Sequence, residues 1–342
     1  MLTVRFLNQD DVIACGGADM AAAVQDIENV FALHARGDVV LPSKTVLRWG
    51  GIESEYSHGR INAMPAYVGG DVHMAGIKWI SGFPKNPFTN GLPRAVGITI
   101  LNDPDTGVPL AIMDGTLISA VRTGAVTGVA AKYLARPDSE VAGIIGTGVQ
   151  SRTQLRALKV VLPALKQVKA FDVDRGRRER FAEEMSADLG IEVRPVNSAE
   201  EAVRGSQVLV TATTSKEPVV KAEWIEPGLF YSAVGGHEFE YAVADRASKI
   251  VVDNWEEIKH RGSQTLCFMH REGLLPDDRI HAELGEVVIG RKPGRQSAGE
   301  FILFASVGMG LEDVAVATRV LRTARERGIG SDLVLWREPF SK

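Results

Sequence analysis

The sequence of 342 residues is poor in several features, and each scarcity excludes a class of protein. It has only two cysteines, Cys15 and Cys267, which form neither a disulfide framework nor the spacing of a metal site. It has no uncharged apolar run of the roughly 20 residues that a helix needs to cross a membrane. Its net charge of −4 provides no positive surface for nucleic acid. We therefore expect a protein with reduced thiols that binds neither membranes nor nucleic acid.

Targeting and metal-binding signals are also scarce. The first residues show no basic segment followed by an apolar stretch and small residues, so we expect a cytoplasmic location. Five histidines are spread without the spacing of metal ligands, namely His58, His73, His260, His270 and His281, so we predict no metal site. The composition is that of a globular protein with one large or two moderate domains, with 45% hydrophobic and 24% charged residues.

The first third of the chain combines one helix with several strands. Apolar residues at helical spacing predict the helix over residues 20–35. Strand patterns follow at residues 39–47, 61–67, 74–80 and 96–102, and residues typical of turns separate them. These runs predict a mixed or antiparallel sheet.

After about residue 116 the pattern changes to strands that alternate with helices. A long alanine-rich helix is predicted over residues 117–134. Short apolar runs of the kind buried in parallel sheets follow at residues 141–145, 167–171, 207–212, 229–234 and 249–253. The last helix is predicted over residues 311–327, before a strand at 332–336 that returns to the first domain. This alternation is typical of a doubly wound α/β domain.

A glycine turn between the first of these strands and the next helix indicates a dinucleotide site. Gly146 and Gly148 let the backbone approach a pyrophosphate, which the free N–H groups of the following helix attract. Ser151 replaces the third glycine of the usual fingerprint. Asp172 ends the next strand, where a carboxylate binds the adenosine ribose and favours NAD by repelling a 2′-phosphate. Arg175 and two further arginines follow, so NADP is not excluded.

Five motifs occur in order along the chain, at residues 77–84 (Ile-Lys-Trp-Ile-Ser-Gly-Phe-Pro), 102–107 (Asn-Asp-Pro-Asp-Thr-Gly), 121–123 (Val-Arg-Thr), 146–150 (Gly-Thr-Gly-Val-Gln) and 233–236 (Ala-Val-Gly-Gly). Together they resemble the ornithine cyclodeaminase/mu-crystallin family over nearly the whole chain. The resemblance implies a Rossmann domain, residues 117–327, inserted into an α+β substrate and dimerisation domain, residues 1–116 and 328–342. It also implies a homodimeric oxidoreductase that uses NAD(P) at the C–N bond of an amino acid or its imine.

The resemblance assigns roles to residues that match the family's motifs. Lys78 matches the family's substrate-site lysine, for which we expect a catalytic role, and Arg122 is implied to contact substrate or cofactor. Lys44 stands where many members have an arginine for the substrate carboxylate, and it keeps the charge without the bidentate fork. Val307, in the segment that lines the nicotinamide, is implied to contact the substrate. The expected cofactor residues are Arg94, Arg122, Gly146, Gly148, Val149, Gln150, Asp172, Thr211, Thr213, Val234, Gly235 and Ser306.

One departure from the family concerns catalysis. Cyclodeaminases carry an aspartate directly after the Val-Gly-Gly segment, where this chain has His237. Residues 235–240 and 281–285 look more like the branch that makes 2,3-diaminopropionate by oxidising N-(2-amino-2-carboxyethyl)glutamate. Iminosuccinate reductase and other ketimine reductases also belong to the wider family. His237 is either a catalytic group that exchanges a proton with the substrate amine or a packing residue.

The residues themselves support the same chemistry. Hydride transfer at a carbon that bears nitrogen and a carboxylate needs a cation for the carboxylate and a group that moves the nitrogen's proton. Lys78 lies in an apolar run, where desolvation would lower its pKa and suit it to proton transfer. The alternative is a strand-edge lysine that reaches water. Lys44, Lys78 and Arg122 look uncompensated, so we expect a dicarboxylic substrate such as iminosuccinate or the glutamate-derived opine.

Two other functions stay open beside the leading interpretation, an imine reductase or opine-type amino-acid dehydrogenase. An ornithine cyclodeaminase, a lyase that uses NAD catalytically and releases ammonia, is disfavoured by His237. A non-enzymatic binder of small hydrophobic ligands, as mu-crystallin can be, is disfavoured by the retained lysine and arginine residues.

Overall fold

The structure, a computed structural model, describes residues 1–48 and 59–341 and divides into two compact units. Unit 1 consists of Met1–Arg122 and Met309–Lys342, and unit 2 of Thr123–Gly308. Unit 2 is a central segment between the two ends of the chain, and the domain bounds expected from the sequence, 1–116 with 328–342 and 117–327, stay a prediction. The boundaries of the two compact units lie at other residues, because the last long helix packs against strands of unit 1.

Unit 1 is built on one eight-stranded mixed sheet. Its strands are β1 (Leu2–Leu7), β2 (Val39–Val40), β3 (Thr45–Leu47), β4 (Arg60–Val68), β5 (Met74–Gly82), β6 (Gly97–Asn102), β7 (Pro109–Asp114) and β16 (Ser331–Trp336). Their order is β16-β1-β7-β6-β5-β4-β2, with β3 paired to β4, and the β1–β7 pair is parallel. The strand predicted at residues 39–47 is two short strands, because Pro42 lacks the N–H that a ladder needs.

The last long helix of unit 1 packs on one face of this sheet. The helices are α1 (Gln9–Ala14), α2 (Met20–Arg36), α3 (Asn86–Thr89), α4 (Gly115–Leu134), whose second half lies in unit 2, and α12 (Gly310–Arg327). α12 packs against α2 and against β4, β5 and β6. Side chains therefore alternate along β5: Met74, Lys78 and Ile80 are buried, whereas Trp79 on the opposite face is exposed.

Unit 2 is a doubly wound domain, which confirms the predicted α/β fold class. Its strands are β8 (Val141–Ile145), β9 (Gln167–Phe171), β10 (Glu192–Pro195), β11 (Val208–Thr211), β12 (Phe230–Ala233), β13 (Lys249–Val252), β14 (Ala282–Glu283) and β15 (Ile302–Ala305). They form one parallel sheet in the order β10-β9-β8-β11-β12-β15-β13-β14. Its helices are α5 (Val149–Val161), α6 (Arg175–Leu189), α7 (Ala199–Val203), α8 (Tyr241–Arg246), α9 (Trp255–His260), α10 (Thr265–Arg271) and α11 (Leu284–Val288).

Burial on both faces explains the apolar runs of this parallel sheet. Every residue of β11, β12, β13 and β15 is buried, as in central strands that helices cover on both sides. The strand order reverses between β8 and β11, so the crevice at their carboxyl ends is the expected ligand site. The strand β15, absent from the sequence prediction, lies between β12 and β13 and brings the residues after Ala305 to this edge.

Candidate active site

Lys78 lies at the centre of a buried polar cluster in unit 1. It is 1% exposed, on the face of β5 that α12 covers. Its Nζ donates hydrogen bonds to the Asp313 carboxylate, 2.7 Å away, and to the Ser119 hydroxyl, 3.3 Å away. Asp313 belongs to the first turn of α12 and Ser119 to α4, so three elements far apart in sequence meet at this amine.

Arg122 and Glu312 extend the cluster. Arg122, on α4, donates to the Glu312 carboxylate, and its Nε lies 3.3 Å from the Asp313 carboxylate. The other Glu312 oxygen accepts a hydrogen bond from the Met309 N–H at the start of α12. Arg122, Glu312 and Asp313 are all buried. Two cations therefore face two carboxylates in the interior of unit 1.

The surroundings of Lys78 lower its pKa to about 8. Burial is the main cause, because it disfavours the charged amine, and the neighbouring Arg122 acts in the same direction. Asp313 and Glu312 oppose the shift by stabilising the ammonium form. A lysine with this pKa exchanges protons readily in mildly basic solution, whereas an ordinary lysine, with a pKa of about 10.4, stays protonated there.

The pairing of these cations corrects one inference from the sequence. Lys78 and Arg122 are not uncompensated charges, because Asp313 and Glu312 neutralise them. The expectation of a dicarboxylic substrate therefore loses its charge argument. Sequence reasoning missed both carboxylates because acidic residues in the first turn of a long helix are common on surfaces, where they stabilise the helix dipole. Their burial follows from the packing of α12 against the sheet.

The other predicted cations of unit 1 lie outside β5. Lys44 is half-buried directly before β3, which pairs with β4. Arg94 is exposed between α3 and β6, and its carbonyl accepts a hydrogen bond from the Phe83 N–H at 2.7 Å. Arg48 is exposed at the end of the first described segment, and His58 lies outside the described residues. Contacts of Lys44 with substrate and of Arg94 with cofactor stay predictions.

The glycine turn of unit 2 has the geometry that a pyrophosphate needs. Gly146 has a φ of +86°, which side chains disfavour, and a Cβ there would lie 2.8 Å from the Ala212 carbonyl oxygen. Gly148 is the N-cap of α5, and among the described residues no atom beyond its chain neighbours lies within 4 Å of where its Cβ would be. The described residues therefore leave space at Gly148, and the first N–H groups of α5 suit an anion.

The residues after the turn keep this approach open. Ser151, in the place of the third glycine, is buried and donates its hydroxyl to the Gly146 carbonyl. Val149 is 69% exposed. The side-chain oxygen of Gln150 is buried and accepts no hydrogen bond from the described residues. The predicted pyrophosphate contacts of Val149 and Gln150 are thus compatible with the geometry.

Asp172 lies beside this turn, at the carboxyl end of β9. One carboxylate oxygen accepts hydrogen bonds from the Thr147 N–H, at 2.9 Å, and from the Thr147 hydroxyl, at 3.0 Å. The other accepts from the Asp174 N–H at 3.0 Å. These bonds hold Asp172 next to the glycine turn, which is the place predicted for the ribose acid. Arg175 has a side chain that is 80% exposed and pairs with Glu179.

The remaining predicted cofactor residues of unit 2 gather at one edge of the sheet. β11, β12 and β15 are adjacent and parallel, so the segments that follow them meet at this edge. The predicted residues there are Thr211, Thr213, Val234, Gly235, Ser306 and Val307. Thr211 is fully buried and its hydroxyl bonds to Glu238 and Tyr231, so its side chain supports the edge from inside the protein.

Buried polar groups hold the segment after β15 through its backbone. The Asp253 carboxylate accepts hydrogen bonds from the Val307 and Gly308 N–H groups, both at 2.7 Å. The Gln264 side chain donates to the Ser306 carbonyl at 2.7 Å. The segment predicted to line the nicotinamide therefore has a defined conformation that does not depend on regular secondary structure.

His237 is half-buried among aromatic side chains of unit 2. Its ring packs edge-on against Phe268 and Tyr241, with ring centroids 5.4 and 6.1 Å away. Its Nδ1 lies 3.1 Å from the Thr265 hydroxyl. These contacts orient the ring and are compatible with both predicted roles, packing and proton exchange.

Residues 1–48 and 59–341 contain neither a membrane-spanning helix nor a metal-binding group. No helix in this part of the chain has both the length and the apolar character needed to span a membrane. Nor do three or more His, Cys, Asp or Glu side chains form a group there that would hold a metal ion.

Comparison with known proteins places the chain. The sequence profile described as ornithine cyclodeaminase/mu-crystallin family matches residues 8–328. The chain belongs to this family. The alanine dehydrogenase of Archaeoglobus fulgidus is 41% identical over 93% of this chain and 95% of that protein. The N-((2S)-2-amino-2-carboxyethyl)-L-glutamate dehydrogenase of Staphylococcus aureus is 33% identical over 97% of this chain and 98% of that protein.

A solved structure agrees over the whole fold. The Delta(1)-pyrroline-2-carboxylate reductase of Thermococcus litoralis, in complex with NADH and L-proline, matches with a TM-score of 0.90 and 38% identity. The match covers 96% of this chain and 100% of that one. The predicted ornithine cyclodeaminase/mu-crystallin family is confirmed, and the opine-type dehydrogenase suggested by the residues around His237 is among its relatives.

The charge balance around Lys78 is testable in this family member. Asp313→Asn keeps the volume and a hydrogen-bond acceptor but removes a negative charge that stabilises the ammonium form. We expect the pKa of Lys78 to fall below about 8, by roughly one to three units. NMR titration of protein labelled at the lysine ε-carbon measures the change directly.

Asp332→Asn is the matched control, because Asp332 pairs with Arg5 at a more exposed position in the same unit. This variant should leave the Lys78 titration unchanged. If Asp313→Asn also leaves it unchanged, the Asp313 carboxylate does not set the protonation of Lys78.

Proposed function

We propose that this protein is an NAD-dependent oxidoreductase that reduces the imine of an amino acid, or oxidises the corresponding amine, at the C–N bond. One observation carries the proposal. Lys78, buried and with a pKa of about 8, is held by Asp313 and Ser119 in a chain that also has a dinucleotide turn with open space at Gly148. Imine reduction needs such a proton donor, because the nitrogen takes up a proton when the carbon takes up a hydride.

The residues of unit 2 fit NAD. The open space at Gly148 and the start of α5 suit a pyrophosphate, and Asp172 beside them suits the ribose hydroxyls. Bound NADH would supply the hydride. The pyrroline-carboxylate reductase described above was solved with NADH, which supports this choice. NADP is the alternative cofactor.

Lys78 donates the proton in one direction of the reaction and accepts it in the other. Its ammonium form gives a proton to the imine nitrogen during reduction, and its neutral form takes the proton back during oxidation. Asp313 and Ser119 orient the amine through their hydrogen bonds. Arg122, itself oriented by Glu312, holds the substrate carboxylate. Contacts of Lys44 and Val307 with the substrate, and assistance by His237, stay predictions from the sequence.

We propose that the protein prefers monocarboxylic substrates to dicarboxylic ones. Lys78 and Arg122 already face Asp313 and Glu312, so the charge of this cluster does not by itself select a substrate with two carboxylates. Two relatives support this order by their names, an alanine dehydrogenase and a reductase of pyrroline-2-carboxylate, whereas the N-((2S)-2-amino-2-carboxyethyl)-L-glutamate dehydrogenase favours the dicarboxylic class. Iminosuccinate and the glutamate-derived opine are the comparison substrates.

A substrate panel followed by NADH absorbance tests the proposal. Purified protein receives NADH with pyrroline-2-carboxylate, with pyruvate and ammonia, or with iminosuccinate, and receives NAD with alanine, proline or the opine. Net turnover of nicotinamide supports the proposed reaction. Conversion of ornithine to proline and ammonia without net turnover would identify a cyclodeaminase instead. Higher efficiency with iminosuccinate or the opine would contradict the monocarboxylic order.

The variant Lys78→Ala should lose about two to four orders of magnitude in kcat, because one positioned proton-transfer group is removed. Its affinity for NADH, measured by fluorescence titration, should be unchanged, because the proposed phosphate and ribose contacts belong to unit 2. Lys166→Ala, at a lysine that is 65% exposed, is the control for loss of an amine. An unaltered kcat in Lys78→Ala would exclude the proposed role.

The pKa of Lys78 also sets the expected pH dependence. Reduction needs the ammonium form, so its rate should fall as the pH rises through about 8. Oxidation needs the neutral amine, so its rate should rise over the same range. Rates of both directions measured between pH 6 and 10 check the sign, and a common trend in the two directions would contradict the assignment.

Cofactor choice is assigned to Asp172. Asp172→Ser should shift the preference from NAD toward NADP, because it removes the charge that repels a 2′-phosphate and leaves Arg175 nearby. The ratio of kcat/KM for NADH and NADPH measures the change. Asp188→Ser, near the other end of α6, should leave the ratio unchanged. A wild-type protein that already prefers NADPH would refute this assignment.

We also propose a homodimer formed through the face of the unit 1 sheet that lies opposite α12. Trp79 and Ile98 are cross-strand neighbours on this face and are 42% and 39% exposed. Phe6, on β1, is 38% exposed, and every residue of the edge strand β16 is exposed. An exposed apolar patch of this kind marks an interaction site, and a second copy of the chain presents a self-complementary surface.

The variant Trp79→Glu tests this interface, because it places a charge on the apolar face. We expect a shift from dimer to monomer in light scattering after gel filtration. Val160→Glu, at a 44% exposed position on α5 of unit 2, should keep the dimer. An intact dimer in Trp79→Glu would rule out this face, and a monomeric wild type would rule out the homodimer.

A cytoplasmic location is part of the same proposal. Cys15 and Cys267 are buried free thiols, which suits a reducing compartment. Fractionation of the native cells with an antibody against the protein tests it, and recovery outside the cytoplasmic fraction would contradict it.

A further inference from the structure

Glu238 is a buried carboxylate of unit 2 that the proposed proton transfer does not use. It follows β12, directly after His237, and is 0% exposed. Burial raises its pKa, and hydrogen bonds from Thr211, Thr213 and Gly235 oppose that shift by stabilising the charged form. A carboxylate is costly to bury unless hydrogen bonds satisfy it, so the groups that bond to it indicate its role.

Three donors converge on this carboxylate. One oxygen accepts a hydrogen bond from the Thr213 N–H at 2.7 Å. The other accepts from the Gly235 N–H and the Thr211 hydroxyl, each at 2.7 Å. Thr211 ends β11, Thr213 follows it, and Gly235 follows β12. Glu238 therefore joins the two segments that leave adjacent strands at the carboxyl edge of the sheet.

The surroundings leave the carboxylate little freedom. A Cβ at Gly235 would lie 2.5 Å from the Glu238 carboxyl carbon, so the carboxylate fills the space that a side chain would need. The Thr211 hydroxyl is also 2.9 Å from the Tyr231 hydroxyl, and burial keeps the pKa of Tyr231 well above its usual value. Tyr231, Thr211 and Glu238 thus form a chain of hydrogen bonds in the interior.

We propose that Glu238 is a positioning residue for the nicotinamide ring of the bound dinucleotide, acting through the segments that contain Thr213 and Gly235. This inference rests on the proposed NAD-dependent function. In a doubly wound sheet, the half formed by β8, β9 and β10 binds the adenosine moiety, and the half that begins with β11 binds the other nucleotide. Asp172 belongs to the first half, whereas the partners of Glu238 belong to the second.

The three donors explain why the residue must be a carboxylate. Backbone N–H groups only donate, and here one faces each oxygen of Glu238. Glutamine has a single acceptor oxygen beside an NH2 group. In either orientation of a glutamine side chain, the NH2 would face a backbone N–H, and one of the two segments would lose its bond.

The test is Glu238→Gln in the full-length protein, with two affinities measured. We expect NADH, followed by fluorescence, to bind about tenfold more weakly, because a charge-assisted hydrogen bond to one segment is lost. ADP-ribose, followed by calorimetry, lacks the nicotinamide and should bind as it does to the wild type. A general loss of structure would weaken both ligands, so this split distinguishes positioning from folding.

Glu283→Gln is the matched control. Glu283 also accepts a backbone hydrogen bond, from the Trp255 N–H at 2.9 Å, but lies on the edge strand β14. It should leave both affinities unchanged.

If Glu238→Gln fails to fold, Thr211→Val removes one of the three donors at nearly constant volume. It should give a smaller loss of NADH affinity with unchanged ADP-ribose affinity.

Two results would overturn the inference, namely equal NADH affinity in variant and wild type, or equal weakening of NADH and ADP-ribose. A wild-type protein that binds neither ligand would instead overturn the proposed function.

Discussion

Lys78 and Asp313 are 235 residues apart in the chain, and their charged atoms are 2.7 Å apart in the fold. This contact joins β5, in the N-terminal segment of unit 1, to α12, in its C-terminal segment. Removing a lysine amine from water is unfavourable, and the partner carboxylate offsets only part of that cost, since the pKa of Lys78 stays at about 8. The same burial that makes the contact structural therefore makes the lysine a proton donor and acceptor.

Buried carboxylates in unit 2 accept hydrogen bonds from the backbone. Segments that leave the parallel strands lack the regular hydrogen bonds of a sheet, and their N–H groups need other acceptors. Glu238 accepts from the segments after β11 and β12, and Asp253 from the segment after β15. The sheet places these segments side by side, and the two carboxylates give them defined conformations. Because of these hydrogen bonds, the segments at the carboxyl edge of the sheet can be rigid without regular secondary structure.

The charges of the Lys78 cluster also change what the protein is expected to bind. In the sequence, Lys78 and Arg122 have no evident acidic partner, so they suggest a substrate with two carboxylates. Taken from the fold, each already has a carboxylate partner, so orientation of these groups matters more than their net charge. Relatives that share this architecture include dehydrogenases and a reductase with different substrates. Substrate choice must then depend on residues around the cluster.

The sequence by itself determined the features that depend on neighbours in the chain. The turn at Gly146 and Gly148, with Asp172 at the end of the next strand, lies within about 30 residues and follows from turn chemistry and apolar runs. That Lys78 lies in an apolar run is also evident from the sequence. Tertiary structure alone decided that Glu312 and Asp313 are buried beside Lys78 and that Glu238 joins β11 to β12. Neither follows from sequence pattern, because the burial of an acidic residue depends on which distant surface packs against it.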